Sequence, residues 1–188
     1  MALPLSELTI NAYWSADLKA QRMALSDIYE DVYAERLGDP FFSIARYWDR
    51  LLGYASRDGF AIRIGTLATN PIGCALGYAL PAGTGWWRGL KSDVEEAELR
   101  EDGKRTFALT EIMVREPWRR RGYAHELHDS LLAGRTEARA TLLVLPDNVP
   151  AKAAYASWGW RKLGELKPFD DSPTYDAMLV PLPIAPSR

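Results

Sequence analysis

The segment VREPWRRRGYAHEL, Val114–Leu127, decides how this chain is read. Before it runs RTFALTEIMV (Arg105–Val114), which reads as a strand, and after it GYAHELHDSLLAG, an amphipathic helix that Gly134 ends. The connection between strand and helix holds three consecutive arginines and a Gly-Tyr-Ala step. The first N–H groups of a helix have no intrahelical partner, and the helix dipole adds positive charge there. Gly122 puts no side chain in the way of an anion approaching that backbone, and Ala124 keeps the next turn small. Arg119, Arg120 and Arg121 surround the donors with formal charge. The segment reads as an anion site of pyrophosphate type, with a solvated basic turn as the alternative.

Such a site has to be local, because the chain as a whole is not basic. Its 188 residues carry 23 Lys and Arg against 25 Asp and Glu, a net charge of -2, which gives no footprint for nucleic acid or an anionic membrane. Cys74 is the single cysteine, so neither an internal disulfide nor a cysteine-rich metal site can form. The first twenty residues include Glu7 and Asp17, with no basic start and no apolar run of signal-peptide length. No stretch approaches the roughly 20 apolar residues of a membrane span. The expectation is a cytoplasmic protein of one domain, 1–188, of a size that buries roughly 70% of its unfolded surface.

Outward from the opening segment, the pattern predicts helices over 17–37 and 41–54, the first stopped by Gly38-Asp39-Pro40. A hairpin of 60–69 and 72–80 follows, with Asn70-Pro71 as its turn. Residues 81–104 read as a surface excursion, rich in Gly and Trp and ending in an acidic run. Beyond the helix, ATLLVL (Ala140–Leu145) is a strand of the doubly buried kind, Asp147-Asn148 is a cap, and Pro150 opens the helix VPAKAAYASW. RKLGEL and YDAMLVPL form a last antiparallel pair before the tail PIAPSR, expected to fray. The order predicts a mixed α/β domain.

Two motifs in this order resemble the GNAT superfamily of N-acetyltransferases, of bacterial type. The family's acyl-CoA signature is Arg or Gln, two residues, Gly, one residue, then Gly or Ala; Arg119, Gly122 and Ala124 fall on it, and Val114 and Pro117 match the approach. Its following helix pairs an Asn with a Tyr seven residues on and then Gly and an aromatic, as Asn148, Tyr155, Gly159 and Trp160 do. The likeness covers about Phe60 to Leu182. It implies the GNAT fold, a central, mostly antiparallel sheet splayed between its fourth and fifth strands and flanked by helices.

The same resemblance implies acetyl-CoA as co-substrate and direct transfer to a primary amine, with no metal. The backbone of Ile112, Met113 and Val114 would meet the thioester and pantetheine, Arg119, Arg120, Arg121, Gly122, Tyr123 and Ala124 the pyrophosphate, and Asn148 the pantetheine or its own helix. Tyr155 would be the acid that protonates the leaving thiolate. Glu111, a lone carboxylate in an apolar strand, would be the base, since an amine of pKa near 10.4 must lose its proton before it attacks; a structural carboxylate or a ligand for the amine's charge are the other readings of it. Tyr78, Trp86, Trp87 and Tyr175 are candidate walls of an acceptor pocket, with core packing equally open for Tyr78. The run Glu95, Glu96, Glu98, Glu101 and Asp102 would either attract a cationic acceptor or be solvated loop.

Neither His125 nor His128 has a second ligand-type partner at a recognisable metal spacing, and both read as packing or surface residues. A small-molecule amine is the expected acceptor and a homodimer is compatible with the family; a protein or peptide acceptor, and a CoA-binding module without turnover, are the alternatives. A nucleotide-phosphate protein of another type lacks its motifs here.

Overall fold

Apolar residues spaced three and four apart build the first two helices. In the computed structural model, which describes residues 7–184, α1 (Arg22–Val32) buries Leu25, Ile28 and Tyr29, and α2 (Ile44–Ala55) buries Tyr47, Trp48 and Leu51. Ser43 caps α2 by accepting from the Arg46 amide at 3.3 Å. The predicted helix over 17–37 is shorter than its periodicity suggested. It is α1 alone, flanked by 3-10 turns at Ser15–Asp17 and Ala34–Arg36.

Ahead of it lies a strand that the pattern did not predict, β1 (Leu8–Tyr13), paired antiparallel with β2 (Ala61–Leu67) from Leu8↔Leu67 to Tyr13↔Ile62. β2 turns back into β3 (Asn70–Ala79). The turn is two residues earlier than predicted: it is Ala68-Thr69, with Ala68 at φ +54°, while Asn70 and Pro71 already pair with Leu67 and Thr66. The remaining elements are α3 (Glu96–Leu99, one turn), β4 (Thr106–Val114), α4 (Tyr123–Leu132), β5 (Arg139–Val144), α5 (Val149–Ser157), β6 (Arg161–Leu166) and β7 (Tyr175–Pro181). The strands form one mixed sheet in the order β1-β2-β3-β4-β5-β7-β6, parallel at β4/β5 and antiparallel at the other described pairs. The predicted tail lies partly outside the described residues, at 185–188.

The chain forms two compact units. One comprises the described residues up to Gly77 with Glu111–Ala133; the other comprises Tyr78–Thr110 and the described residues from Gly134 onward. In the first, α4 packs on β1 and β2, with Leu127 against Gly65 of β2, and buries Leu127, Leu131 and Leu132. Gly73 admits a close approach there: a Cβ on it would run into the Met113 carbonyl oxygen and stand 3.2 Å from Leu127 Cδ1 and from Val114 Cα. In the second, β5 pairs with β7 along its whole length but with β4 only over Arg139–Thr141, opposite Thr106–Ala108. That early stop is the splay expected between the fourth and fifth strands.

The excursion 81–104 is not simply solvated. Glu101 is buried and binds Trp87 Nε1 at 3.0 Å, Thr106 Oγ1 at 2.9 Å and the Arg139 guanidinium at 3.1 Å. Glu98 pairs with Arg105, Arg139 and Arg161. Two of the five acids of the run, Glu98 and Glu101, are therefore engaged within their own unit.

Candidate active site

In the first unit, β4 ends at Val114 and Arg115 ties that end down. The Arg115 Nε meets Asp31 on α1 at 2.5 Å, and its amide donates to the Ile72 carbonyl at 2.9 Å. The Thr106 carbonyl accepts from the Leu80 amide at 2.9 Å, so residues 106 and 115 both turn to the β3 side although they are nine apart, and the regular alternation of β4 is broken between them. Ile112 and Val114 lie on β4 past Ala108, where pairing with β5 has already stopped. The Val114 carbonyl is taken, because Arg119 Nε donates to it at 2.9 Å.

The turn into α4 is left-handed twice. Arg120 has φ +61° and Gly122, the N-cap, φ +88°. A Cβ at Gly122 would meet no atom, so the backbone angle, not crowding, calls for glycine there. No side chain caps α4. The amides of His125 and Glu126 both turn to the Gly122 carbonyl, and among the described residues nothing accepts from Tyr123 or Ala124. Arg120 and Arg121 are exposed. The arrangement matches an anion site of backbone donors, with two arginines free to move and one fixed to the strand.

Glu111 stands on β4 in the same unit, partly open to solvent yet deep enough that burial pushes its carboxyl up to about 7, with Arg50 on α2 pulling the other way. Burial raises the Tyr29 phenol to about 12 and holds the Tyr47 phenol and the Cys74 thiol well up, and Glu111's charge adds to each shift. Arg50 donates to the Phe41 carbonyl at 2.8 Å and to the Tyr29 hydroxyl at 3.4 Å, and Tyr29 stacks on Tyr47 at 4.0 Å. Sequence reasoning missed Arg50, Tyr29 and Tyr47. The signal was present in α2, where Tyr47 and Arg50 fall three apart, the spacing of one helix face.

In the second unit, α5 carries Tyr155, buried between Trp158 at 5.6 Å and Trp160 at 6.0 Å. Asn148 caps the helix by accepting from the Ala151 amide at 3.3 Å, so the capping role expected of it is the one observed. Lys152 on α5 and Lys162 on β6 hold Asp176 of β7 at 2.6 and 2.7 Å.

Three of the acceptor-wall candidates adjoin one another. Tyr78 and Trp86 meet edge to face at 6.5 Å, and Trp86 and Trp87 at 6.4 Å. Trp87 is buried with its indole N–H committed to Glu101, which makes it part of the internal network. Trp86 keeps a buried Nε1 with no hydrogen-bond partner. Tyr175 is on β7, opposite Leu166.

The histidines of α4 differ from expectation in one respect. Asp129 joins them, 2.7 Å from His128 Nδ1 and 3.4 Å from His125 Nε2, and the three offer ligand atoms within 4.8 Å of one another. Burial lowers the His128 pKa against the pull of Asp129.

A mixed sheet splayed at β4/β5 and a glycine-led turn from β4 into α4 are features of the acetyltransferase fold class. The sequence matches the Acetyltransferase (GNAT) family over residues 14–160, most of the chain, and the protein belongs to that family. Three solved structures share the fold. PH1933 of Pyrococcus horikoshii OT3 is 21% identical, with 95% of this chain and 100% of that one covered, at a TM-score of 0.64. The ribosomal-protein-S18-alanine N-acetyltransferase of Escherichia coli is 17% identical over 96% and 97%, at 0.63. The PaiA N-acetyltransferase of Thermoplasma acidophilum, in complex with coenzyme A, is 12% identical over 93% and 99%, at 0.56. No curated protein matches in sequence. Among the described residues no helix is long and apolar enough to cross a membrane.

Proposed function

We propose that the protein is an N-acetyltransferase that moves the acetyl group of acetyl-CoA to a primary amine by direct attack, with a small molecule as acceptor. The observation that carries this reading is the Glu111 carboxyl, held at about 7 on β4. A base of that strength is half ionised at neutral pH and is matched to deprotonating an ammonium group. The fit to acetyl-CoA rests on the uncapped Tyr123 and Ala124 amides, the open space over Gly122 and the stretch of β4 beyond its pairing with β5, which holds Ile112 and Val114.

Glu111 takes the proton that the amine loses as its nitrogen bonds to the thioester carbonyl carbon. Tyr155 gives a proton to the departing sulfur, which leaves neutral CoA. Arg120, Arg121 and the α4 amides hold the pyrophosphate, Arg119 keeps the end of β4 in place, and Tyr78 and Trp86 offer aromatic faces to the acceptor. No step calls for a metal.

The test begins with thermal unfolding in acetyl-CoA, free CoA and ATP. At about 100 times the dissociation constant a ligand stabilises by roughly 2.7 kcal/mol, which raises the midpoint of a domain this size by about 5 to 11 °C. CoA release with a panel of amines follows, with Tyr155→Phe and Glu111→Gln beside the wild type. A shift with acetyl-CoA but not ATP, with turnover that both variants lower, supports the assignment. No shift in a folded sample sinks the donor, and full activity in both variants sinks the roles.

A further inference from the structure

Arg50 is an enclosed cation without an ion pair. Its guanidinium donates to the Phe41 carbonyl at 2.8 Å and the Tyr29 hydroxyl at 3.4 Å, with the Phe41 ring at 4.8 Å, and among the described residues no carboxylate pairs with it. Two bonds leave three of its five N–H groups unused. Arg115, Arg135 and Arg139, also enclosed, each meet a carboxylate: Asp31, Glu137 and Glu101. A buried guanidinium left unpaired is costly unless something else supplies the negative charge.

The same corner is short of acceptors. The Tyr47 hydroxyl is buried with no hydrogen-bond partner, and its ring stacks on Tyr29, the residue that Arg50 touches. Among the described residues Glu111 is the one carboxyl whose charge acts on Arg50, Tyr29 and Tyr47, and it is held so high that near neutrality it is only half ionised. What is missing is an anion, next to a group suited to receive an amine.

We propose that Arg50 anchors a carboxylate on the acceptor, so that the acceptor is a small molecule carrying a carboxylate beside its primary amine: an amino acid or a close relative. This rests on the transferase reading above for the amine's place at Glu111, but the anchor itself is a binding site that can be measured alone. Arg50 fits the task because its planar fork matches a carboxylate in two bonds and its position is fixed from two sides, so little freedom is lost on binding. The rival role for Arg50, adjusting the protonation of Glu111, affects every acceptor alike. An anchor changes the ratio between acceptors with and without the carboxylate.

The experiment uses matched sets in the full chain: alanine, serine, lysine and phenylalanine, each as the free acid, the carboxamide and the decarboxylated amine. CoA release is measured with acetyl-CoA, and separately the rise in melting temperature of the CoA-saturated protein. The wild type is expected to favour the acid over its carboxamide by about 10- to 100-fold in kcat/KM, the range for a hydrogen bond to a charged group. Arg50→Met erases that ratio, and Arg50→Lys, which keeps the charge without the fork, retains part of it. A carboxamide used as well as its acid in the wild type overturns the anchor, as does an acid preference that survives Arg50→Met. Carboxylates that raise the melting temperature without CoA release, an effect lost in Arg50→Met, leave the anchor standing and sink the transfer reading. Turnover of carboxamides alone does the reverse.

Discussion

Arg119 Nε donates to the carbonyl oxygen of Val114 at 2.9 Å, so the first arginine of the anion turn is bonded to the last residue of the strand that precedes it. The bond fixes the turn against β4 and leaves Arg120 and Arg121 exposed at the tip. The two kinds of arginine should therefore fail differently. Arg119→Met is expected to weaken acetyl-CoA binding about tenfold and to slow turnover, because it releases the strand end as well as a charge. Arg120→Met and Arg121→Met are expected to lose less and to flatten the salt dependence, since their charges act across solvent. Calorimetric titration at two salt concentrations separates these outcomes.

The Glu111 carboxyl, held at about 7, predicts an activity profile that climbs through neutral pH as the base form fills. Glu111→Gln should abolish that limb. Stability should respond in the opposite sense. A folded-state value above the unfolded one makes the native protein the better proton binder, so the group favours folding below pH about 4.3 and that support is lost as pH rises through about 7. Glu111→Gln should gain in melting temperature over the wild type at pH 8 and not at pH 5.

Gly122→Ala and Gly73→Ala test the backbone for separate reasons. At Gly122 the added Cβ meets nothing, but φ +88° is left-handed, a strain of about 1–2 kcal/mol. At Gly73 the added Cβ strikes the Met113 carbonyl and pushes on the strand that holds Ile112 and Val114. Urea unfolding should show both losses, and acetyl-CoA affinity should fall in Gly73→Ala even where the protein remains fully folded.

Glu101→Ala strips Arg139, Trp87 and Thr106 of a shared acceptor inside the second unit. Removing one partner of a buried ion pair costs roughly 3–5 kcal/mol. Glu95→Gln and Glu96→Gln, on exposed residues of the same run, should stay within about 0.5 kcal/mol of the wild type. Urea midpoints give the comparison, and equal losses at all three positions would contradict the network.

What could be read from the sequence was what is local. Asn148 as a cap, Gly122 opening α4 and Gly134 closing it all announce themselves through neighbours within a turn of chain, and the order of elements from β2 onward followed. β1 did not: LTINAY is a six-residue edge strand whose alternation, apolar Leu8 and Ile10 against polar Thr9 and Asn11, runs for only four residues and is too short to stand out. Glu111 was visible as the odd charge in an apolar run, but its surroundings were not. Arg50 and Tyr29 reach it from helices more than sixty residues away, and periodicity carries no information about such meetings. The acidic run misled for the same reason: Glu101 reads as loop until Arg139, on another strand, is brought to it.

The division of the chain has a consequence for how the protein is made. Glu111–Ala133, which carries Glu111 itself and the arginine-glycine turn, completes a unit that begins before Gly77, and Tyr78–Thr110 waits for partners from Gly134 onward. A ribosome adding about 5–20 residues per second delivers these pieces in alternation. Neither unit has all its parts in one continuous stretch, so a nascent chain stopped at residue 110 holds neither of them whole. Expression of half-length fragments should yield material that does not fold, and the two halves should have to meet before either becomes protein-like.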